Sequence, residues 1–131
     1  MGRIVVDTDV ASYIFSAHPS AQAYTRALRG EMWVLSFMSV AELREAALVA
    51  HWGPRRRQMM DEFILDAEIV YPDDDLCSLW ARLRSIARET GRAVSVPDCW
   101  IAATALSLEL PLATNNRRDF EHIPNLRLLQ L

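Results

Sequence analysis

Arg3-Ile4-Val5-Val6-Asp7-Thr8-Asp9-Val10-Ala11-Ser12-Tyr13-Ile14-Phe15 opens the chain with two periodicities in succession. Arg3–Val6 holds an unbroken apolar run, the pattern of a strand covered on both faces, and Asp7 stops it; beyond Asp7 the apolar residues recur at helical spacing. The chain therefore begins β then α. Residues 20–29 continue helically to Gly30, where a helix stop is expected, and Met32-Trp33-Val34-Leu35-Ser36 reads as a second strand. A third helix is expected from Ser39, with Val40, Leu43, Ala47 and Ala50 on its apolar stripe, up to the Gly53-Pro54 break. Residues 55–66 resume a helical pattern.

Residues 68–71 read as a third strand closed by Pro72, and residues 73–90 as a long amphipathic helix with Leu76, Leu79, Trp80, Leu83 and Ile86 buried. An alanine-rich helix is expected over 97–108, a strand over 110–113, and a last edge strand over 126–131 after Pro124-Asn125. Strands alternating with helices favour a three-layer α/β/α sandwich around a mostly parallel sheet, because parallel neighbours require crossover connections. Ligands of such folds bind beyond the carboxyl ends of the strands.

The 131 residues match one domain, expected to span 1–131, and a 51% hydrophobic composition with 24% charged residues excludes a disordered chain. The net charge is −3, so no diffuse basic surface drives binding to nucleic acid or membrane; a polyanion has to be engaged locally. All 14 basic residues are arginine, which excludes lysine-amine chemistry. Cys77 and Cys99 stand alone in apolar helical patterns, with neither disulfide framework nor metal knuckle. The Ile4-Val5-Val6 run is too short for a secretory segment, and no run of about 18 apolar residues occurs. A cytoplasmic protein without a membrane span is the expectation.

Four acids fall where this architecture delivers them to one rim: Asp7 after strand one, Glu42 in the first turn of helix three, Asp98 in the first turn of the alanine-rich helix, and Asp119 past the 110–113 strand. They lie tens of residues apart, so only the fold gathers them. Each also has a structural reading. Ser39-x-x-Glu42 is a capping box. Asp98 follows Pro97 in a first turn, where any acid complements the helix dipole, and Asp119 fits a solvated loop. Asp7 or Asp9 can cap the helix that follows. Taken jointly the acids say more, because two carboxylates about 4 Å apart repel by roughly 4 kcal/mol at an effective dielectric near 20. Such a cluster takes up protons or a cation. All-oxygen ligands suit Mg²⁺ or Mn²⁺, whereas zinc recruits His or Cys, and His18, His51 and His122 lack ligand spacing. One or two such ions at a rim of carboxylates point to metal-assisted phosphodiester hydrolysis.

Val5-Val6-Asp7-Thr8-Asp9, Ser39-Val40-Ala41-Glu42-Leu43, Pro97-Asp98-x-x-Ile101-Ala102-Ala103-Thr104-Ala105 and Leu112-Ala113-Thr114-Asn115-Asn116-x-x-Asp119-Phe120 together resemble a PIN-domain ribonuclease, more narrowly a VapC-type toxin. The resemblance covers the whole chain. It implies a PIN-like α/β/α sandwich, Mg²⁺- or Mn²⁺-dependent endoribonuclease activity on structured RNA such as tRNA or rRNA, homodimers, and a cognate VapB-type antitoxin. Position by position it implies Asp7 and Asp98 as principal metal carboxylates, Glu42 as the third acid and Asp119 as the fourth, with Thr114 and Asn116 in support. Asp9 departs from the family's usual Asn or Ser, and a helix-capping role is the favoured reading for it. Asn116 is Asp in some relatives, which leaves open one metal or two.

Arg117 and Arg118, beside the expected site, are candidates for gripping RNA phosphates. For Arg55-Arg56-Arg57 a solvated helix face is the favoured account. Asp73-Asp74-Asp75 reads as dipole compensation at a helix start. Trp33, Trp80 and Trp100 are assigned to core or dimer contacts, and Trp52 to a more exposed position able to stack on a base or a partner. Two rival readings stand. Asp7-Thr8-Asp9 resembles the Asp-x-Asp of a phosphatase, or Asp7 a receiver-domain phosphorylation site, but both look for a lysine. A catalytically silent RNA- or protein-binding module is the non-enzymatic alternative.

Overall fold

A computed structural model describes residues 2–131. The elements run β1 (Arg3–Val6), α1 (Thr8–Phe15), a 3₁₀ turn (Pro19–Ala21), α2 (Gln22–Ala27), β2 (Met32–Ser36), α3 (Phe37–Val49), α4 (Pro54–Leu65), β3 (Glu68–Val70), α5 (Asp74–Thr90), α6 (Val96–Leu108), β4 (Leu112–Ala113) and a 3₁₀ turn (Arg117–Asp119). The strands form one parallel sheet in the order β3-β2-β1-β4.

Alternation along the strands makes the three layers. Ile4 and Val6 on β1, Leu35 on β2 and Ala113 on β4 point into one core with Val10, Tyr24, Leu43, Met60 and Ile64 of α1 to α4. Val5, Val34 and Leu112 point the other way, into a core closed by Leu76 and Leu83 of α5 and Ile101, Ala102 and Ala105 of α6. The alanines of α6 are fully buried, and their small side chains let this helix lie close on the sheet. Trp80 and Trp100 stack with centroids 5.0 Å apart at the margin of that second core, while Trp33 meets Phe63 edge-on in the first. The sandwich expected from the sequence is present. No helix among the described residues is long and apolar enough to cross a membrane.

Several boundaries differ from the sequence reading, each for a local reason. The expected last edge strand over 126–131 does not form. Leu128 makes a single parallel bridge to Leu112, since β4 offers only two residues, Pro111 lacks an N–H, and Leu110 N–H turns back to the Ala105 carbonyl at 3.0 Å. Residues 20–29 divide into the Pro19–Ala21 turn and α2. Helix α3 starts at Phe37 rather than Ser39: Ser36 is the cap, its hydroxyl accepting from Met38 N–H at 3.1 Å. Ser39 therefore lies inside the helix, and the Ser39-x-x-Glu42 capping box does not exist, which leaves Glu42 without a backbone duty.

Candidate active site

The chain changes direction in the strand order between β1 and β4, since β1 runs on to β2 on one side while β4 arrives last on the other. The carboxyl end of β1 beside β4 is thus the switch point where an α/β sheet opens a crevice, and Asp7 stands there. Its N–H donates to the Ala113 carbonyl at 2.9 Å, continuing the parallel ladder by one bond. Asp7 is the N-cap of α1: Oδ1 accepts from Thr8 N–H at 2.7 Å, and Oδ2 accepts from the Thr114 hydroxyl at 2.7 Å. The side chain is 5% exposed. Burial, then the charge of Asp9, push its carboxyl up to about 7; the Thr114 and Thr8 hydrogen bonds pull in the opposite direction, and Asp98 adds a further upward push.

Asp9 does not take the cap position favoured by the sequence reading, because Asp7 holds it. From the first turn of α1 its Oδ1 accepts from Val10 N–H at 2.6 Å, and its charge is one of the causes that raise the Asp7 carboxyl. Burial raises its proton affinity too. Two neighbouring carboxyls whose proton affinities are both raised favour the uptake of a proton or a cation.

Asp98 enters from the start of α6, where Ser95 caps the helix by accepting from Asp98 N–H at 3.2 Å. Burial raises its proton affinity, the Ser95 hydroxyl, acting on the Asp98 carboxyl rather than on its N–H, opposes this, and the charges of Asp119, Glu42 and Asp9 add to the rise. Asp98 is thus an electrostatic neighbour of three other acids drawn from separate elements. Glu42 projects from α3, its Oε1 accepting from the Thr8 hydroxyl at 2.7 Å, and the Ser39 hydroxyl is 2.8 Å from the same Thr8 oxygen. Asp119, in the 3₁₀ turn, accepts from the Asn116 side-chain amide. Thr114 is buried and also accepts from Asn116 N–H at 3.0 Å. Arg117 donates to the Leu129 carbonyl at 3.1 Å, and Arg118 is exposed beside it.

The acids share a rim, but no group of three or more His, Cys, Asp or Glu side chains among the described residues is drawn together tightly enough to enclose an ion as it stands. The donor set nonetheless fits a hard cation: it is carboxylate oxygens only, and among the described residues none of these five acids is paired with an arginine. The histidines lie elsewhere. His18 stacks on Tyr13 and accepts from Ser20 N–H, and His122 tucks a ring nitrogen into the interior.

Sequence reasoning missed Thr8, Tyr24 and Ser95. Thr8 had a signal, since a β-branched hydroxyl between two acids at a strand end is placed to hydrogen-bond across to a neighbouring helix. Tyr24 had none: its hydroxyl donates to the buried Thr114 carbonyl at 2.9 Å, ninety positions away in the chain.

The family pattern described as PIN domain matches residues 4–126. Ribonuclease VapC5 of Mycobacterium tuberculosis is 37% identical over 114 residues, covering 86% of this chain and 82% of that protein. Ribonuclease VapC1 of Haemophilus influenzae is 26% identical over 125 residues, covering 94% and 93%. Among solved structures, VapBC-5 of Mycobacterium tuberculosis superposes with a TM-score of 0.74 at 28% identity, covering 98% of both chains. VapBC2 of Rickettsia felis, bound to a promoter DNA fragment, reaches a TM-score of 0.83 at 23% identity over 97% of each chain, a likeness of fold. The chain belongs to the PIN-domain family, among its VapC-type ribonucleases.

Proposed function

We propose that this protein, as a single domain over residues 1–131, is the endoribonuclease toxin of a toxin–antitoxin pair. It cleaves structured RNA, tRNA or rRNA, in the cytoplasm with the help of Mg²⁺ or Mn²⁺, works as a homodimer, and is held silent by a VapB-type antitoxin. The observation that carries the reading is the buried Asp7 carboxyl at the β1–β4 switch point, held by Thr8 and Thr114, with Asp9 and Asp98 as its charged neighbours and Glu42 and Asp119 as those of Asp98. The solved relatives named VapBC are toxin–antitoxin complexes, which supports the partner.

Asp7 and Asp98 would hold the ion, with Glu42 and Asp119 contributing. When bound, a divalent cation supplies a water acidified for attack and a positive charge against the leaving oxygen. The rest is done by the chain. Thr8 and Thr114 fix the Asp7 carboxylate in one orientation, so it need not reorganise as charge develops on the phosphate. Thr8 aims Glu42 from the adjacent helix, and Asn116 aims Asp119. The charge of Asp9 adds to the upward push on the Asp7 carboxyl, which a bound cation would offset. Arg118, and Arg117 at the same turn, offer guanidinium contacts to phosphates on either side of the scissile bond.

The test is cleavage of labelled RNA with Mg²⁺ or Mn²⁺, with and without chelator, followed by sequencing of cellular RNA 5′ ends after brief induction. Metal-dependent new ends at few positions are expected. Full cleavage in chelator refutes the metal, and absence of cleavage and of growth arrest at verified protein levels leaves a silent binding module.

A further inference from the structure

Three consecutive cations, Arg55, Arg56 and Arg57, occupy the first turn of α4, which begins at Pro54 with Gly53 as a cap that offers no side chain. Cations at this end of a helix run against its dipole, and no acid shares the turn to offset them. All three are exposed. The ion pairs among the described residues are Arg3–Glu68 and Arg44–Asp61, so no carboxylate neutralises the run. Helix stability does not explain it, and a merely solvated face does not explain what Arg56 does.

Arg56 is not loose in solvent. Its guanidinium carbon lies 4.2 Å from the Trp52 ring centroid and 5.8 Å from that of Phe15. Trp52 in turn stacks on Phe15 at 5.6 Å, and Phe15 meets Phe63 edge-on at 5.3 Å. The result is a ladder of rings rooted in the core and topped by a planar cation. The aromatic surface that the sequence suggested at Trp52 is therefore capped: the group presented outward is the guanidinium. Held over the Trp52 ring, it has already given up rotamer freedom that a free arginine would lose on binding. Beside it opens a cleft of about 570 Å³ lined by Phe15, Ser16, Pro54, Arg55 and Met59.

The ladder is in line with the acidic rim. Thr8 and Phe15 stand seven residues apart on α1 and so share one face, with Thr8 bonded to Glu42 at one end and Phe15 under Trp52 at the other. The two ends are about 10 Å apart along the helix axis. A polyanion reaching a rim built from five carboxylates needs cations close by, and this is the densest run of them in a chain of net charge −3.

We propose that the Arg56-topped aromatic stack, flanked by Arg55 and Arg57, is a second contact point for the RNA substrate: an unpaired base stacks on the Arg56 guanidinium while the neighbouring arginines hold adjacent phosphates. This rests on the ribonuclease reading and adds where the strand runs after leaving the acids. Guanidinium planes are established stacking surfaces for splayed bases, and arginines beside them carry the salt-dependent part of the affinity.

Binding of bulk tRNA, measured in EDTA so that nothing is cleaved, tests the patch separately from catalysis. The R55Q/R56Q/R57Q protein is expected to bind at least tenfold more weakly, with the slope of log affinity against log salt smaller by roughly 0.7–0.9 for each phosphate that an arginine no longer neutralises. In the cleavage assay KM rises and kcat stays within about twofold. R88Q/R92Q, at the last turn of α5 and just past its Gly91 cap, removes exposed charge away from the patch and should bind like wild type. R56K keeps the charge without the plane, and is expected to retain the salt slope while losing affinity. Unchanged tRNA affinity in the triple variant, with its fold intact by circular dichroism, overturns the proposal, as does a variant that loses only its antitoxin. Wild-type affinity in R56K overturns the stacking role. A wild-type protein that binds tRNA through this patch yet never cleaves it would overturn the nuclease reading and leave the patch standing as an RNA-binding surface.

Discussion

The Thr8 hydroxyl donates to Glu42 Oε1 across 2.7 Å and thereby ties the start of α1 to the middle of α3. Two elements that enter the rim from different directions are held in register by this bond, with Ser39 as a second partner of the same hydroxyl. Thr8 follows Asp7 directly, and its own N–H holds Asp7 Oδ1. One residue thus positions two of the acids, one through its backbone and one through its side chain.

Replacing Thr8 with Val keeps the shape and the backbone N–H and removes only the hydroxyl. A hydrogen bond to a charged group contributes about 1.5–3 kcal/mol where it is partly buried. Freed, Glu42 samples rotamers away from the rim, so kcat is expected to fall about tenfold, equivalent to ~1.4 kcal/mol. KM should change little and the melting temperature only by a few degrees. Thr8→Ser should recover most of the rate. Equal kcat in Thr8→Val and wild type would show that Glu42 needs no such anchor.

Asp7→Asn removes a charge without removing volume, and its effect on stability must change with pH. The folded protein lifts the Asp7 carboxyl from 3.8 to about 7, which withholds up to about 4 kcal/mol from the ionised, metal-free protein. A carboxyl raised in this way contributes stability that is full below its unfolded value and is lost as pH rises through the folded value. Near pH 8, in EDTA, the Asn variant should therefore melt above wild type. Near pH 5 the advantage shrinks to less than half, and it is gone only below the unfolded value of 3.8, where the variant should fall slightly below because its amide NH₂ replaces one of the two oxygens that accept from Thr8 and Thr114. A lower melting temperature at both pH values would sink the repulsive-cluster account.

Added Mn²⁺ or Mg²⁺ should raise the melting temperature, and more so near pH 8 than near pH 6, because an ion and a proton compete for the Asp7 oxygens. At a metal concentration one hundred times the dissociation constant, the gain is about 2.7 kcal/mol. Asp7→Asn and Asp98→Asn should each abolish most of it. Stabilisation that survives in both variants would place the ion elsewhere.

What the sequence made legible was the part governed by local pattern. A strand buried on both faces announces itself by an unbroken apolar run, so β1 and the acid beyond it were visible, as were the helices whose apolar stripes repeat. Choices among near-equivalent polar groups were not. Ser36 and Ser39 stand one turn apart, either able to cap α3, and the tertiary contact of Ser39 with Thr8 decided it. Asp7 and Asp9 compete in the same way for the start of α1, and Asp7 wins because Thr114 holds its other oxygen. The 126–131 segment has strand-like composition, yet β4 is too short to template it. Partners such as Tyr24 and Thr114 meet only through the fold, and no spacing rule encodes them.

Thr114 offers the sharpest separation between a role in packing and a role in chemistry. Its hydroxyl donates to Asp7 Oδ2 at 2.7 Å inside the protein, and that bond lowers the proton affinity that burial and Asp9 raise. Thr114→Val removes the donor and strands Asn116 N–H, so some stability is lost in either case. If the bond also sets how readily Asp7 gives up its proton, the acid limb of the kcat/KM profile should move to higher pH in Thr114→Val, since a group holding its proton more tightly needs a higher pH to ionise. Thr114→Ser, which keeps the hydroxyl, should restore the limb to its wild-type place even where it leaves the melting temperature depressed by the missing methyl. A cavity effect moves stability in both variants and the limb in neither. A rate lowered uniformly across pH in Thr114→Val, with the limb unmoved, would assign this residue to packing alone.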